Sequence, residues 1–256
     1  MTTRDGEADK PAKIPGKERL TAPLPKRFYS TVSVETKDGQ FAILLDGRPV
    51  RTPRKLPLAV PTRALADAIA AEWAAQAERI DPASMPLSKI AITAIDGVAS
   101  HMADVASDIV EFAGSDLLCY RTEAPPALAH LQAEAWDPIL RWVDAELGVR
   151  FLTARGVMPV EQSPRTLDRV AAAVAPLEAM ALASLHVMTT LMGSAVLALA
   201  HVKGKLSAEE AWAAAHVDED WQISQWGVDV EAAGRRARRW AEMQAASRFL
   251  ELLRAD

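Results

Sequence analysis

The sequence predicts an α+β protein, with a small β-meander-containing N-terminal domain followed by an all-helical C-terminal domain. Two Asp-Gly pairs, Asp38-Gly39 and Asp46-Gly47, lie between short apolar or alternating runs near the N-terminus. Such pairs suit type I′ hairpin turns, in which both central residues need φ > 0. After Thr62 the large apolar residues recur at intervals of three and four, the helical period. Alanine makes up nearly a fifth of the 256 residues, and it loses no side-chain entropy on entering a helix.

Residues 1–26 read as a disordered tail, because mixed charge and prolines with few large apolar residues cannot offset ordering entropy. The segment has no apolar stretch of a secretory signal, and Asp5, Glu7 and Asp9 interrupt the basic residues of a mitochondrial presequence. Residues 27–124 form the predicted N-terminal domain. In it, Val32, Val34 and Thr36 alternate with polar residues, Phe41 to Leu45 is the second strand, and Arg48 to Thr52 the third. Pro49 places that third strand at an edge or a bend, and Leu56 to Val60 is a candidate fourth. Thr62 is the expected N-cap of a helix running to about Glu78, with Leu65, Ile69 and Trp73 on one face. Ile95, Val98, Met102, Val105, Ile109 and Phe112 form a core-facing stripe of a second helical region. Leu117 to Arg121 reads as a buried strand returning to the sheet, and the two prolines within Thr122 to Pro126 mark the domain boundary.

The C-terminal domain spans 125–256. Trp136, Ile139, Leu140, Val143 and Leu147 share a helical face, and Pro138 either kinks that helix or starts a new one. Gly148 stops it. Val149 to Val160 is irregular or weakly extended. Ser163-Pro164 opens a helix that Pro176 ends. Leu177 to Val202 is almost continuously apolar and long enough to span a bilayer. Its Glu178, His186, Thr189, Thr190, Gly193 and Ser194, with no flanking aromatic belt, favour a central helix buried on all sides over a membrane span. Ser207 and Glu210 make a capping box for a helix running past Trp212 towards Trp226-Gly227, and a last helix covers Asp229 to Leu253.

Composition and motifs exclude several chemistries. A net charge of −5 and a pI near 5.6 argue against a nucleic-acid partner. One cysteine cannot make an internal disulfide or a zinc knuckle. Cys119 has no neighbouring histidine and reads as an inert buried thiol. Phosphate-cradling glycine loops, dinucleotide fingerprints and nucleophile elbows are missing from the sequence. His186 reads as a hydrogen-bonded core imidazole. His216 with Asp218, Glu219 and Asp220 lacks the further ligand a metal would need. Arg235 to Arg239 reads as a solvated basic face paired with Glu231 and Glu242. The densest unusual segment is Asp218-Glu-Asp-Trp-Gln-Ile-Ser-Gln-Trp-Gly227. Its two tryptophans, five apart, cannot share one narrow stripe, so one is expected inside and the other near the surface. An acidic rim beside an aromatic anchor suits a protein-binding patch; the plainer reading is an amphipathic helix end with Gly227 as its C-cap.

Arg27-Phe-Tyr29, Leu45-Asp-Gly-Arg-Pro-Val-Arg-Thr-Pro53, Ala71-Glu-Trp73, Met85-Pro-Leu87, Trp136-Asp-Pro138, Asp220-Trp-Gln222 and Trp226-Gly227 occur in this order over roughly Lys26 to Leu253. The combination resembles the ATP synthase assembly chaperones specific for the alpha subunit. The resemblance implies a two-domain α+β protein without catalytic activity or cofactor. It implies binding to unassembled alpha subunit until the beta subunit takes its place, in support of assembly of the catalytic sector. The implied partner-binding residues are Glu219, Asp220, Trp221, Trp226, Gly227, Asp229 and Glu231. This chain departs from many members in carrying Val228, rather than an acid, directly after the glycine, with Asp229 or Glu231 standing in. It also has Trp221 where phenylalanine is common. A monomer in the bacterial cytoplasm, or in the mitochondrial matrix for a eukaryotic source, is the expected setting. The rival readings are a small-molecule enzyme with an inter-domain acid–base site around His216 and Asp220, and a membrane-associated subunit anchored by Leu177 to Val202.

Overall fold

In a computed structural model of the chain, which describes residues 24–156 and 158–255, both Asp-Gly pairs turn the backbone as their chemistry requires. Asp38 and Gly39 have φ of 51° and 75°, and Asp46 and Gly47 have 48° and 74°. Strands β1 (Val32–Lys37) and β2 (Gln40–Leu45) pair antiparallel, with Val32 opposite Leu45 and Lys37 opposite Gln40. The short β3 (Arg48–Pro49) and β4 (Ala59–Val60) both pair with β2. Asp46 does more than turn the chain. Its carboxylate accepts from the Ser30 and Thr31 amides and the Thr31 hydroxyl at 2.8–3.2 Å. These bonds pin the start of β1 and hold the carboxyl below its usual range, the Thr31 amide first. The tail read over residues 1–26 lies outside the described residues as far as residue 23. From Leu24 the chain runs beside Glu78–Ile80, joined by Arg27 N to Glu78 O and Ile80 N to Pro25 O, both 2.9 Å.

The helices follow. Thr62 caps α1 (Arg63–Ala74) by accepting from Leu65 N, and the helix stops four residues short of Glu78. The stripe expected as one region is two helices, α2 (Pro86–Asp96) and α3 (Met102–Gly114), separated at Gly97 by a single 3₁₀ turn. The apolar spacing survives the break because a 3₁₀ turn also returns to a face every three residues. Leu117 to Arg121 does not return to the meander. Leu117–Cys119 is a 3₁₀ turn, and β5 (Tyr120–Arg121) pairs in parallel with β6 (Ala154–Arg155) in a separate two-stranded sheet.

Helix α4 (Pro126–Leu147) continues through Pro138 and ends at Gly148 with φ 67°. Ser163 caps α5 (Pro164–Val174) through Thr166 N. The predicted single central helix is in fact two, α6 (Ala179–Met192) and α7 (Ala195–Val202). Gly193, in the left-handed region at φ 65°, ends the first, and the Ser194 hydroxyl caps the second. Helix α7 is buried almost throughout, whereas α6 leaves Thr190 exposed and His186 a third exposed with Nε2 3.8 Å from Asp108. His186 is therefore not the core imidazole expected. Among the described residues no helix is long and apolar enough to cross a membrane. The helix expected from Ser207 to Trp226 also breaks, at His216, into α8 (Ala208–Ala215) and α9 (Val217–Trp226). The Ser207–Glu210 capping box is present in full. The last helix is α10 (Val230–Arg254).

Helix α6 lies at the centre, packed against α2, α3, α7 and α10, and α10 also reaches α1. The Thr62 hydroxyl, which caps α1, donates to Leu252 O in α10 at 2.7 Å. One contiguous apolar core therefore includes residues from both sides of Pro125. A fully buried carboxylate stands within it. Asp116 accepts from the Ser194 hydroxyl at 2.7 Å, Val196 N at 3.0 Å and Leu118 N at 3.1 Å. Burial outweighs these donors and raises its pKa to about 6. Burial likewise pushes the nearby Cys119 thiol up to about 12, in keeping with an inert sulfur.

Candidate functional site

The acidic tryptophan segment is helix α9, and the chain reverses at its end into α10. Gly227 makes this possible, with φ 83° and ψ 179°, a conformation open almost only to glycine. Asp229 then caps α10, its carboxylate accepting from Glu231 N at 2.8 Å and Ala232 N at 3.1 Å. These two amides, that of Ala232 first, hold its carboxyl below the usual range. The corner carries three bare apolar side chains: Trp226 is 88% exposed, Val228 64% and Val230 85%. Exposed apolar residues scattered singly are ordinary, but three within five residues at a corner form a patch suited to a partner.

Trp221 faces differently. It is half-buried and lines an open cavity of about 490 Å³ with Leu131, Ala135, Val217, Asp220 and Ser224. Of the two tryptophans, then, Trp226 is at the surface and Trp221 rests partly against α4.

The acids of this segment have partners within the chain. Arg236, on α10, forms a short ion pair with Asp220 and lies 3.9 Å from Glu219. The Asp220 hydrogen bond foremost raises the Arg236 pKa. Glu231 pairs with Arg235 one turn on. Asp218 accepts from Gln132 Nε2 at 2.7 Å, and the same buried amide accepts from Thr122 N at 2.8 Å. The basic run is thus only partly the solvated face expected. Arg235 pairs with Glu231, whereas Arg236 turns towards α9 and Arg239 donates to Leu191 O. No ion pair joins the run to Glu242 among the described residues. Sequence reasoning missed these contacts because Asp220 and Arg236 are sixteen residues apart on different helices.

His216, at the α8–α9 break, is buried and stacked on Trp212 with ring centroids 3.9 Å apart. Its Nδ1 bonds Trp212 O at 2.7 Å, and its Nε2 lies 3.9 Å from Glu219. Burial is the first cause of its lowered pKa, so the ring stays neutral. Asp220, its proposed acid–base companion, is taken up by Arg236. No group of three or more His, Cys, Asp or Glu suited to a metal occurs among the described residues.

The motifs around Arg27, Glu72, Pro86 and Trp136 also have identifiable structural roles. Glu72 accepts from Leu87 N at 2.7 Å and from Ser88 N at 2.8 Å, so it caps α2 from another helix. Pro86 stands in the first turn of that helix, where an amide would be unused. Arg27 donates to Tyr29 O at 3.1 Å and to Gln76 O, and its guanidinium lies 4.7 Å from the Tyr29 ring centre. The Trp136 indole donates to Ala214 O at 2.7 Å, joining α4 to α8. Arg121 lies 5.0 Å over the Trp136 ring. Its outer nitrogen lies 2.9 Å from Asp137, at an angle that makes an ion pair rather than a hydrogen bond.

The α+β frame thus combines buried polar ties with a bare apolar corner of a kind suited to a protein partner. Comparison with known proteins identifies the family. Residues 26–144 match the family model of the ATP12 chaperone protein. The chain is similar to the solved Atp12 of Paracoccus denitrificans, at 44% identity over 90% of this chain and 99% of that one, with a TM-score of 0.85. An aspartate-to-lysine variant of P. denitrificans Atp12p gives the same TM-score at 43% identity, covering 90% of this chain and 98% of that one. The mitochondrial protein atp12 of Schizosaccharomyces pombe is 25% identical over 82% of this chain and 77% of its own length. This chain belongs to the ATP12 chaperone family. A chaperone role in ATP synthase assembly comes with that membership.

Proposed function

We propose that this chain binds the unassembled alpha subunit of ATP synthase and shields its apolar surface until the beta subunit takes its place. The α9–α10 corner is the proposed contact. Trp226, with Gly227 shaping the turn, supplies the anchor, and Trp221, Glu219, Asp220, Asp229 and Glu231 form its flank. The observation that carries this reading is the bare apolar tip of Trp226, Val228 and Val230, in a molecule whose other tryptophans are buried or half-buried. The acids act less as free charges than as holders: Asp229 caps α10, and Glu219 and Asp220 fix α9 to α10 through Arg236. A monomer in the bacterial cytoplasm suits this role, and the mitochondrial matrix would be the equivalent place for a eukaryotic source.

Co-expression with the alpha subunit tests the proposal. The expected outcome is a one-to-one complex on size-exclusion chromatography and more soluble alpha subunit. If alpha remains equally soluble without this chain, and ATP synthase yield is unchanged by its deletion, the reading is wrong.

A further inference from the structure

Three stretches far apart in sequence meet at an open cleft of about 630 Å³ beside the β-meander: Phe28-Tyr29, Leu45–Arg51 and Trp73. Phe28 is 75% exposed and stands edge-on to the buried Tyr29, with ring centroids 5.4 Å apart. The Tyr29 hydroxyl donates to Trp73 O at 2.8 Å and so holds the aromatic wall to α1. The Trp73 indole Nε1–H is shielded from solvent and has no acceptor within the described residues. A buried indole donor normally finds one.

Arg48 and Arg51 are the cations of the cleft, and both are exposed. One nitrogen of Arg51 donates to Lys55 O. Neither arginine has a carboxylate partner among the described residues. Asp46, the acid that lines the same cleft, is already engaged by Ser30 and Thr31. In a chain of net charge −5, this is a local positive site with an apolar wall. Two cations are too few to hold a nucleic-acid backbone, but they suit a carboxylate.

We propose that this cleft is a second docking site, which takes an extended acidic segment of a partner protein. An aromatic or aliphatic side chain of that segment packs on Phe28. Its carboxylate bridges Arg48 and Arg51, beside Trp73 in the cleft wall. The cleft shares no residue with the α9–α10 corner, so the two sites fail separately.

The test is a titration of the ¹⁵N-labelled full chain with the peptide acetyl-Phe-Asp-Glu-Leu-amide, following the indole signal of Trp73. The Trp73→Phe variant assigns that signal. A saturable shift is expected, weakened at least about tenfold for the Asn/Gln analogue of the peptide and for the Arg48→Glu/Arg51→Glu variant, and unchanged in Trp226→Ala. Far-UV circular dichroism checks the fold of each variant. The unmodified chain gives a second reading, because binding should weaken between about 50 and 300 mM salt. No saturable shift, equal affinity for the Asn/Gln analogue, a salt-independent affinity, or tighter displacement by oligouridine RNA would overturn the proposal.

Discussion

Helix α6 passes into α7, and α9 into α10, by a similar pair of residues. A glycine at positive φ ends the first helix, Gly193 at 65° and Gly227 at 83°. An oxygen-bearing residue then caps the next, Ser194 through Leu197 N and Asp229 through Glu231 N and Ala232 N. Their surroundings are opposite. Around the first junction Ala195, Val196 and Leu197 are buried, and the Asp116 carboxylate stands behind them. Around the second, Trp226, Val228 and Val230 face outward. Two carboxylates that accept helix N-terminal amides therefore titrate in opposite directions: burial raises Asp116 to about 6, and the exposed Asp229 falls below its usual value. The backbone motif sets the turn, and burial sets what the turn can do. One junction locks the core and the other offers a surface.

The buried junction should respond most to mutation. Asp116→Ala leaves Ser194, Val196 and Leu118 donors without their acceptor, and about 3 kcal/mol of stability should be lost in urea unfolding. The sign of the pH effect follows from the raised pKa. The folded state holds this proton more tightly than the unfolded chain, so the contribution is complete below about pH 4 and lost as pH rises through about 6. Asp116→Asn mimics the protonated form. Its stability relative to the parent should therefore improve by about 3 kcal/mol between pH 3.5 and 7. A constant difference across that range would mean the donors fully offset burial, and the contrast between the two carboxylates would collapse.

The glycines sharpen the comparison at the next level. A Cβ at either position would meet no atom within 4 Å, so an alanine substitution reports backbone conformation alone. Gly193, at φ 65° and ψ 22°, is in the ordinary left-handed region, and Gly193→Ala should cost about 1 kcal/mol. Gly227, at φ 83° and ψ 179°, is in a region that side chains rarely enter, and Gly227→Ala should cost about 2 kcal/mol or displace the corner. Thermal unfolding of the two variants decides it, and equal costs would show that the corner relaxes to another turn.

The parts of this design that were legible in the sequence are those that act within a turn. Thr62, Ser163 and Ser207 could be read as caps because each oxygen bonds an amide three residues on. The Asp-Gly hairpins have the same local origin. The breaks at Gly97, Gly193 and His216 were hidden, because the apolar pattern runs on across each of them and helices change direction without changing which residues are buried. Asp116, Glu72 and Gln132 gave no signal, since the partners through which they join separate elements (Ser194, Leu87 and Asp218) lie 15 to 86 residues away. At the candidate site the unusual tryptophans and acids could be seen, and so could Gly227. That Arg236 occupies Glu219 and Asp220 could not, because only the fold brings the two helices together.

The smallest effect on stability should accompany the largest effect on function. Trp226 buries almost nothing, so Trp226→Ala should leave folding free energy within about 0.5 kcal/mol of the parent. A large aromatic side chain held bare at a corner has its apolar surface still to bury, and anchors of this type dominate binding energy when a partner covers them. Affinity for the alpha subunit should therefore fall at least about tenfold, or roughly 1.4 kcal/mol. Titration calorimetry beside urea unfolding of the same preparation separates the two. A variant that binds as before would remove Trp226 from the contact and shift attention to Trp221 and its cavity. A variant that loses stability and binding together would mean that the exposed junction, like the buried one, is part of the core.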